Sequence, residues 1–435
     1  MSALTVRQAQ VRFLFLLGLR WFPVGLMVPV HVLLPIERGL SIAQVGAAAA
    51  VQGITVMFLE LPTGGLADAI GRRTVLIFAG MVNLASLAVL SFADSFGLFV
   101  VVFLLQGIYR ALDSGPLEAW YVDEALRADP HADIEAGLAR SGVVGGLSIG
   151  GGSLISGGLV ALGSLDLGSL GTVSALTVPV LLSVVLAVAG VIAVAVLMVE
   201  ERPARGLVAL VSSVRGVPAA IGGAVGLVRR NRIIAALIAV ELFWGFGMAT
   251  FETIMPVRLA EVIGDTDRAA VLLGPVGSAG WAASAVGAAL IPLLYRRIGA
   301  PWTGFVLRIV QGLTVAGMGL FAGPAGIIAA FLLCYAVHGA ANPVHVGLLH
   351  RQVDGPYRAS VLSLNSMIGQ PGSALGLVTL TAIAASLGTG MAMYVGAIVL
   401  AVAAPLYLVA RSEPAAPAVA ESDDTVVHGG VSVER

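Results

Sequence analysis

The sequence predicts an all-α polytopic membrane protein with twelve transmembrane helices in two pseudo-symmetric six-helix bundles. Three observations predict it. Of 435 residues, 58% are hydrophobic and 11% charged, whereas a soluble domain carries about 25% charged residues to coat its water-facing surface. Apolar runs of roughly 20 residues, the length that crosses a bilayer core, recur twelve times. The longest connection between them, residues 200–232, follows the sixth run and divides the chain into halves, as an internal repeat requires.

The runs lie at approximately 11–37, 42–68, 74–93, 96–122, 137–163 and 176–199, then 233–262, 270–294, 301–323, 324–351, 358–387 and 389–411. Arg7 and Arg12 ahead of the first run imitate a secretion signal, but the apolar stretch from Phe13 to Ile36 is too long for one. No small-residue cleavage site follows it, so it reads as an uncleaved helix. Between the ninth and tenth runs only Ala322-Gly323-Pro324 breaks the apolar sequence. The organisation is therefore a first bundle at 1–199, a cytoplasmic loop at 200–232, a second bundle at 233–411 and a disordered tail at 412–435. Part of the loop, residues 207–228, has the composition of an interfacial helix. With the N-terminus inside, eighteen of the 24 arginines fall in cytoplasmic segments, while the outer loops hold Arg38, Arg268 and, at a span edge, Arg258. That asymmetry places both termini in the cytoplasm, as an even number of spans also demands.

Several function classes drop out. The net charge of −1 provides no field for nucleic acid. Cys334 is the sole cysteine, which excludes an internal disulfide and a cysteine-built metal site, and no metal is expected. There is no lysine, so every fixed cation is an arginine, and no phosphate-binding G-x-x-x-x-G-K-[ST] loop exists for ATP. No nucleophile–base spacing marks a hydrolase or acyltransferase.

The densest cluster of charge and turn residues in the first hundred positions is Glu60–Thr74, reading ELPTGGLADAIGRRT. Gly64, Gly65 and Gly71 permit a sharp turn, and Asp68 stands four and five residues before Arg72 and Arg73. With Leu66, the residues Gly65, Asp68, Gly71, Arg72 and Arg73 resemble the loop signature between the second and third helices of major facilitator superfamily transporters. Ala69 departs from it where the family often carries a basic residue. A degenerate copy, Arg296-Arg297-Ile298-Gly299, follows the eighth span. The resemblance implies a fold of two six-helix bundles, and an inner gate in which this loop meets Asp123 or Glu124 of span four, joined by Arg140. Solvated surface charges are the alternative reading of that cluster.

Ionisable groups at membrane depth need a partner, water or a function. Arg20 and Glu60 both stand about 12 Å inside the inner boundary on adjacent helices, so an Arg20–Glu60 pair is feasible, either structural or functional. Met27 and His31 follow Arg20 on one helical face. In span four, Arg110, Ser114 and Glu118 share a face with Asp113 beside them. This resembles the fourth-helix arginine motif of the superfamily's exporters, with Gly115 one residue late. It implies a role for Arg110 in proton transfer, with Asp113 or Glu118 as the carboxylate whose protonation changes as the fixed cation pairs with it or leaves, a permanent bridge to a neighbouring helix being the alternative. Span five is rich in glycine (Gly145, Gly146, Gly150, Gly151, Gly152, Gly157, Gly158), and its Gly152–Gly157 stretch loosely resembles the antiporter signature of that helix. Ser153 and Ser156 depart from it, and close packing is the simpler reading.

In the second half, Glu241, Trp244, Met248, Glu252 and Met255 lie on one helical face, a wall suited to amphipathic, cationic cargo, although packing alone also produces such stripes. His338, Asn342 and His345 share a face of span ten, with His338 a candidate proton relay and the other two facing cargo. Arg308 in span nine is expected to pair with an acid from another helix.

The leading expectation is a proton-coupled secondary transporter of the drug/proton-antiporter kind, working by alternating access and exporting small amphipathic compounds. It would need no cofactor beyond the proton gradient, and would act as a monomer in a bacterial plasma membrane with a small molecule and the lipid bilayer as its partners. A proton symporter taking up a nutrient is the nearest alternative; a polytopic enzyme or receptor is the alternative from another class.

Overall fold

A computed structural model describes residues 4–166, 168–200, 222, 226, 228–352 and 358–412. The expected interfacial helix at 207–228, most of the central loop and the tail beyond Ser412 lie outside the described residues. Helix α1 (Val6–Met27) starts earlier than the hydropathy predicts, because Thr5 and Gln8 form a reciprocal capping box. After a turn and the short α2 (Leu33–Glu37), α3 (Ile42–Ile70) opens on the same device, built from Ser41 and Gln44. Gly71, at φ +95°, turns the chain into α4 (Arg72–Phe92).

Helices α5 (Phe96–Asp113) and α6 (Pro116–Ala128) occupy the place of the fourth predicted span. The expectation of one continuous helix there is corrected. Pro116 has no N–H to give and disfavours helical geometry at the residue before it, and Gly115 takes φ +91°. Helix α7 (Ile134–Ala161) leads to a two-residue hairpin, β1 (Leu165–Asp166) with β2 (Thr172–Val173), and then α8 (Val178–Leu197).

The second half begins with α9 (Arg232–Ala249). A π-turn at Thr250–Ile254 and α10 (Met255–Ile263) complete that span. Pro256 explains the irregularity: its ring removes a hydrogen bond to the preceding turn, and the chain widens to accommodate it. The next helical run, α11 (Thr266–Leu320), would be about 80 Å long if straight, far beyond one crossing. Gly299, at φ +75°, breaks it into two spans. The remaining helices are α12 (Pro324–His350), α13 (Arg358–Leu387) and α14 (Thr389–Val402), the last continuing as a 3₁₀ segment, Ala404–Ser412. Eleven described helical stretches are long and apolar enough to cross a membrane, and the break in α11 makes the crossings twelve. Gly71 and Gly299 hold the same left-handed turn at equivalent places, so the repeat first visible as a loop motif is also a repeat of backbone geometry.

Twelve crossings bring both ends of the described chain to one face, here the termini face. Apolar packing differs between the two faces. Toward the far face one cluster joins both halves, with Val30, Leu33 and Phe99 of the first packed with Phe251, Leu273 and Leu380 of the second. Toward the termini face each half has its own cluster, around Phe13 and Trp120 in one and around Leu237, Leu307 and Leu348 in the other. The halves are closed on the far side and parted on the termini side. Small residues bring them close. A Cβ on Gly157 of α7 would lie 2.8 Å from the Val271 carbonyl and 2.9 Å from the Gly274 Cα of α11, and the Ser153 hydroxyl donates to the Gly274 carbonyl at 3.0 Å. Of the glycines of span five, Gly150 and Gly157 face the other half, while Gly152 lets α1 of its own half come close.

Candidate functional site

Asp113 is the last residue of α5 and is 6% exposed; it forms an ion pair with Nε of Arg20 on α1. The Tyr109 hydroxyl hydrogen-bonds the same carboxylate. The predicted Arg20–Glu60 pair is thus corrected to Arg20–Asp113. The shared face of Arg110, Ser114 and Glu118 is corrected as well, because the helix stops at Asp113 and Glu118 emerges, exposed, in the first turn of α6. Neither Asp113 nor Glu118 is the partner of Arg110. Among the described residues Arg110 has no ion-pair partner within 4.0 Å.

Arg110 instead is exposed and acts electrostatically on two carboxylates, Glu60 of α3 in its own half and Glu252 of the π-turn in the other. Its side chain therefore faces the gap between the halves. Glu60 also accepts a 3.5 Å hydrogen bond from Ser366 of α13, across that gap. One guanidinium between two carboxylates leaves a formal charge of −1 when both acids are ionised. The far-face cluster packs beside these charges, and Met27, Trp244, Met248 and Tyr335 contribute partly buried side chains to it, Trp244 and Met248 lying nearer the termini face than Glu252 on the same span. His338 stacks on Trp244 with centroids 5.4 Å apart and 15° between the planes, and Phe251 and Tyr335 surround it at 5.9 and 6.0 Å. The Nδ1 atom of His338 is buried without a hydrogen-bond partner among the described residues.

The single-face reading of Glu241 to Met255 does not survive the π-turn. Met255 is fully buried, Glu252 faces the gap, and Glu241 turns into its own half. There Glu241 ends a chain of hydrogen bonds. The Arg308 guanidinium donates to the Tyr407 hydroxyl and, at 2.6 Å, to Gln311. Tyr407 meets Nδ1 of His345 at 3.0 Å, Nε2 of His345 meets Oδ1 of Asn365 at 3.0 Å, and Asn365 hydrogen-bonds Glu241. A neutral imidazole protonated on Nε2 satisfies every link in one direction, from guanidinium to carboxylate. His345, 2% exposed, is therefore a core residue and not part of a cargo wall. Asn342 is exposed, and His31 holds the Met27 and Val28 carbonyls at 3.2 and 3.1 Å.

At the termini face the structure pairs Arg72 with Asp123. Glu124 turns to Arg127, and Arg140 reaches Gln10 at 3.0 Å, so neither joins that pair. Gly65 and Asp68 fall in the last turns of α3, and the Asp68 side chain lies outside the described residues. Arg73 donates to the Ala195 carbonyl, while the backbone N–H groups of Arg72 and Arg73 donate to Glu200 at 2.8 and 2.9 Å. Glu200 thus caps the start of α4, where a carboxylate is favoured by the helix dipole. Arg12 and Trp120 donate to the carbonyls of Leu197 and Val199 at 2.8 and 2.9 Å, completing a cluster contained in one half. Sequence reasoning missed Glu200, Tyr109, Asn365 and Tyr407. For Glu200 the signal was present, an acid at the end of an apolar run facing an arginine-rich loop. For Asn365 and Tyr407 none was, since their partners come from other helices.

A family model described as Major Facilitator Superfamily matches residues 13–344. The chain is 25% identical over 103 residues to an uncharacterized MFS-type transporter, YxaM, of Bacillus subtilis (strain 168), a match covering 24% of this chain and 26% of that relative. Its fold is similar to the crystal structure of the nucleoside transporter NupG, with TM-score 0.74, 14% identity and coverage of 93% of this chain and 100% of that one. It is similar also to a POT family transporter in complex with 5-aminolevulinic acid, with TM-score 0.66, 16% identity and coverage of 92% and 95%.

Proposed function

This chain belongs to the Major Facilitator Superfamily, is a transporter and not an enzyme, and from that premise we propose that it exports small amphipathic cations in exchange for protons. The observation that carries the reading is Arg110, exposed and within electrostatic reach of Glu60 of one half and Glu252 of the other, beside an aromatic and methionine cluster. A cationic cargo with a flat apolar body finds carboxylates for its charge and Trp244, Tyr335 and Met248 for its body. Protons and cargo then compete for the same carboxylates, which is the elementary requirement of antiport. Arg20–Asp113 supplies a second titratable pair within the first half.

The parted termini face is the cytoplasmic one in this reading, supported by the arginines gathered there. The protein works as a monomer in the bacterial plasma membrane, with the proton gradient as its energy source and no bound cofactor. The test is flux in proteoliposomes loaded at acid pH in alkaline buffer, using a panel of fluorescent lipophilic cations. Antiport concentrates the cation inside; dissipation of the gradient must abolish this, and Arg110→Gln must remove it.

A second reading, proton-driven uptake of a nutrient, is favoured by the likeness of the fold to nucleoside and peptide transporters. It predicts the opposite sign: accumulation only when the outside is acid.

A further inference from the structure

The Arg20–Asp113 pair borders a cavity of about 70 Å³ on the side away from the gap. Its walls come from α1, α4, α5, α6 and α8, all of the first half. Most of the lining is apolar, but four polar side chains, Arg20, Asn83, Tyr109 and Asp113, converge on it. Gly190 of α8 forms part of the opposite wall, and a Cβ placed there would meet nothing within 4 Å.

The hydrogen-bonding balance of this space is uneven. Asp113 already has two donors, Arg20 and Tyr109. Arg20 gives Nε to the carboxylate and another N–H to the Tyr109 hydroxyl, which leaves three of its five N–H groups. Asn83 adds two more donors from its amide, and no described residue accepts from it. Donors exceed acceptors, and the occupant must accept hydrogen bonds and be small. Water satisfies both conditions, and the volume has room for several molecules.

We propose that this cavity is a built water site, with Asn83 as its holding residue, and that it makes Asp113 able to take up a proton. A buried guanidinium stripped of its carboxylate is strongly destabilised unless other acceptors replace it. Waters beside Arg20 are those acceptors. When a proton adds to an Asp113 oxygen, Arg20 turns its N–H groups to the waters, and the charge lost from the pair is compensated locally. The charged and titratable groups facing Asp113 are Arg20 from α1 and Tyr109 from α5; α4 contributes only neutral Asn83 to the cavity, and α8 contributes apolar residues. The role in coupling rests on the antiport reading above; the water site itself does not.

Two experiments separate these. In a Cys334→Ala background, Gly190→Cys is compared with Ile192→Cys, which is 57% exposed on the outer surface of the same helix. A hydrated cavity ionises the thiol, and N-ethylmaleimide should modify Gly190→Cys at least tenfold faster. Equal, slow rates overturn the water site whatever the transport mechanism. Filling the space with Gly190→Leu or Asn83→Leu should then abolish proton-driven accumulation in proteoliposomes while leaving cargo counterflow within about twofold of wild type. Gly190→Ala, which fills little, serves as the graded control and should keep both. Full proton-driven accumulation in both filled variants overturns the role in coupling. If wild type itself ignores the gradient, the antiport reading fails, and the labelling result stands alone.

Discussion

Each half of the molecule sets an arginine and an acid within its helix bundle, Asp113 and Arg308 buried, Arg20 and Glu241 partly so, and each solves the problem differently. In the first half Arg20 and Asp113 touch, with Tyr109 on the carboxylate. In the second half Arg308 and Glu241 are held apart, and Tyr407, His345 and Asn365 span the interval as a directed chain of hydrogen bonds. The contact pair concentrates its stabilisation in one interaction and loses most of it in one proton transfer. The chain spreads the same charge separation over four links, so that no single link decides it. The first arrangement suits a group that must change state during a cycle; the second suits a brace that must not.

The largest effect expected from breaking this contrast is at Asp113. Asp113→Ala takes the carboxylate from Arg20, which water in the adjacent cavity replaces only in part, and should cost about 3 kcal/mol, read as a fall in Tm in detergent. The double variant Arg20→Met/Asp113→Leu should recover most of it; a double variant no better than the single one would mean that the pair is not the unit. Tyr407→Phe removes one link of the chain and should cost less, about 1–3 kcal/mol in the same assay. A loss as large as that of Asp113→Ala would refute the idea of a distributed brace.

Arg72→Ala severs a pair whose Asp123 partner is exposed, and should cost no more than about 1 kcal/mol, with the difference shrinking at high salt. Smallest in stability is Arg110→Gln. Lacking a close partner, Arg110 should be replaceable within about 0.5 kcal/mol while flux disappears. A matching loss of Tm would assign Arg110 to structure and remove it from the cargo site.

Much of the fold was legible because hydropathy reports crossings directly, and the Gly71 and Gly299 loops announce their turns. The site was legible as a set of residues but not as a set of pairs. Assigning Arg110 to Asp113 and Glu118 assumed that helical spacing continues through Ser114-Gly115-Pro116, although that tripeptide is itself a turn signal. Assigning Glu241 and His345 to a cargo wall assumed that polar side chains on an apolar helix face a cavity. Burial among Asn365, Tyr407 and Arg308 satisfies them equally well, and those partners lie on other helices beyond the reach of any local pattern.

The π-turn at Thr250–Ile254 amounts to one residue more than an ordinary helix would hold there. Everything beyond it is rotated by roughly a quarter of a revolution relative to the helix before it. Excising Thr250 would let the coil wind regularly, swing Glu252 away from its place opposite Arg110 and unseat Met255 from its packing. A single codon thus separates a span that leaves its acid exposed from one that hides it.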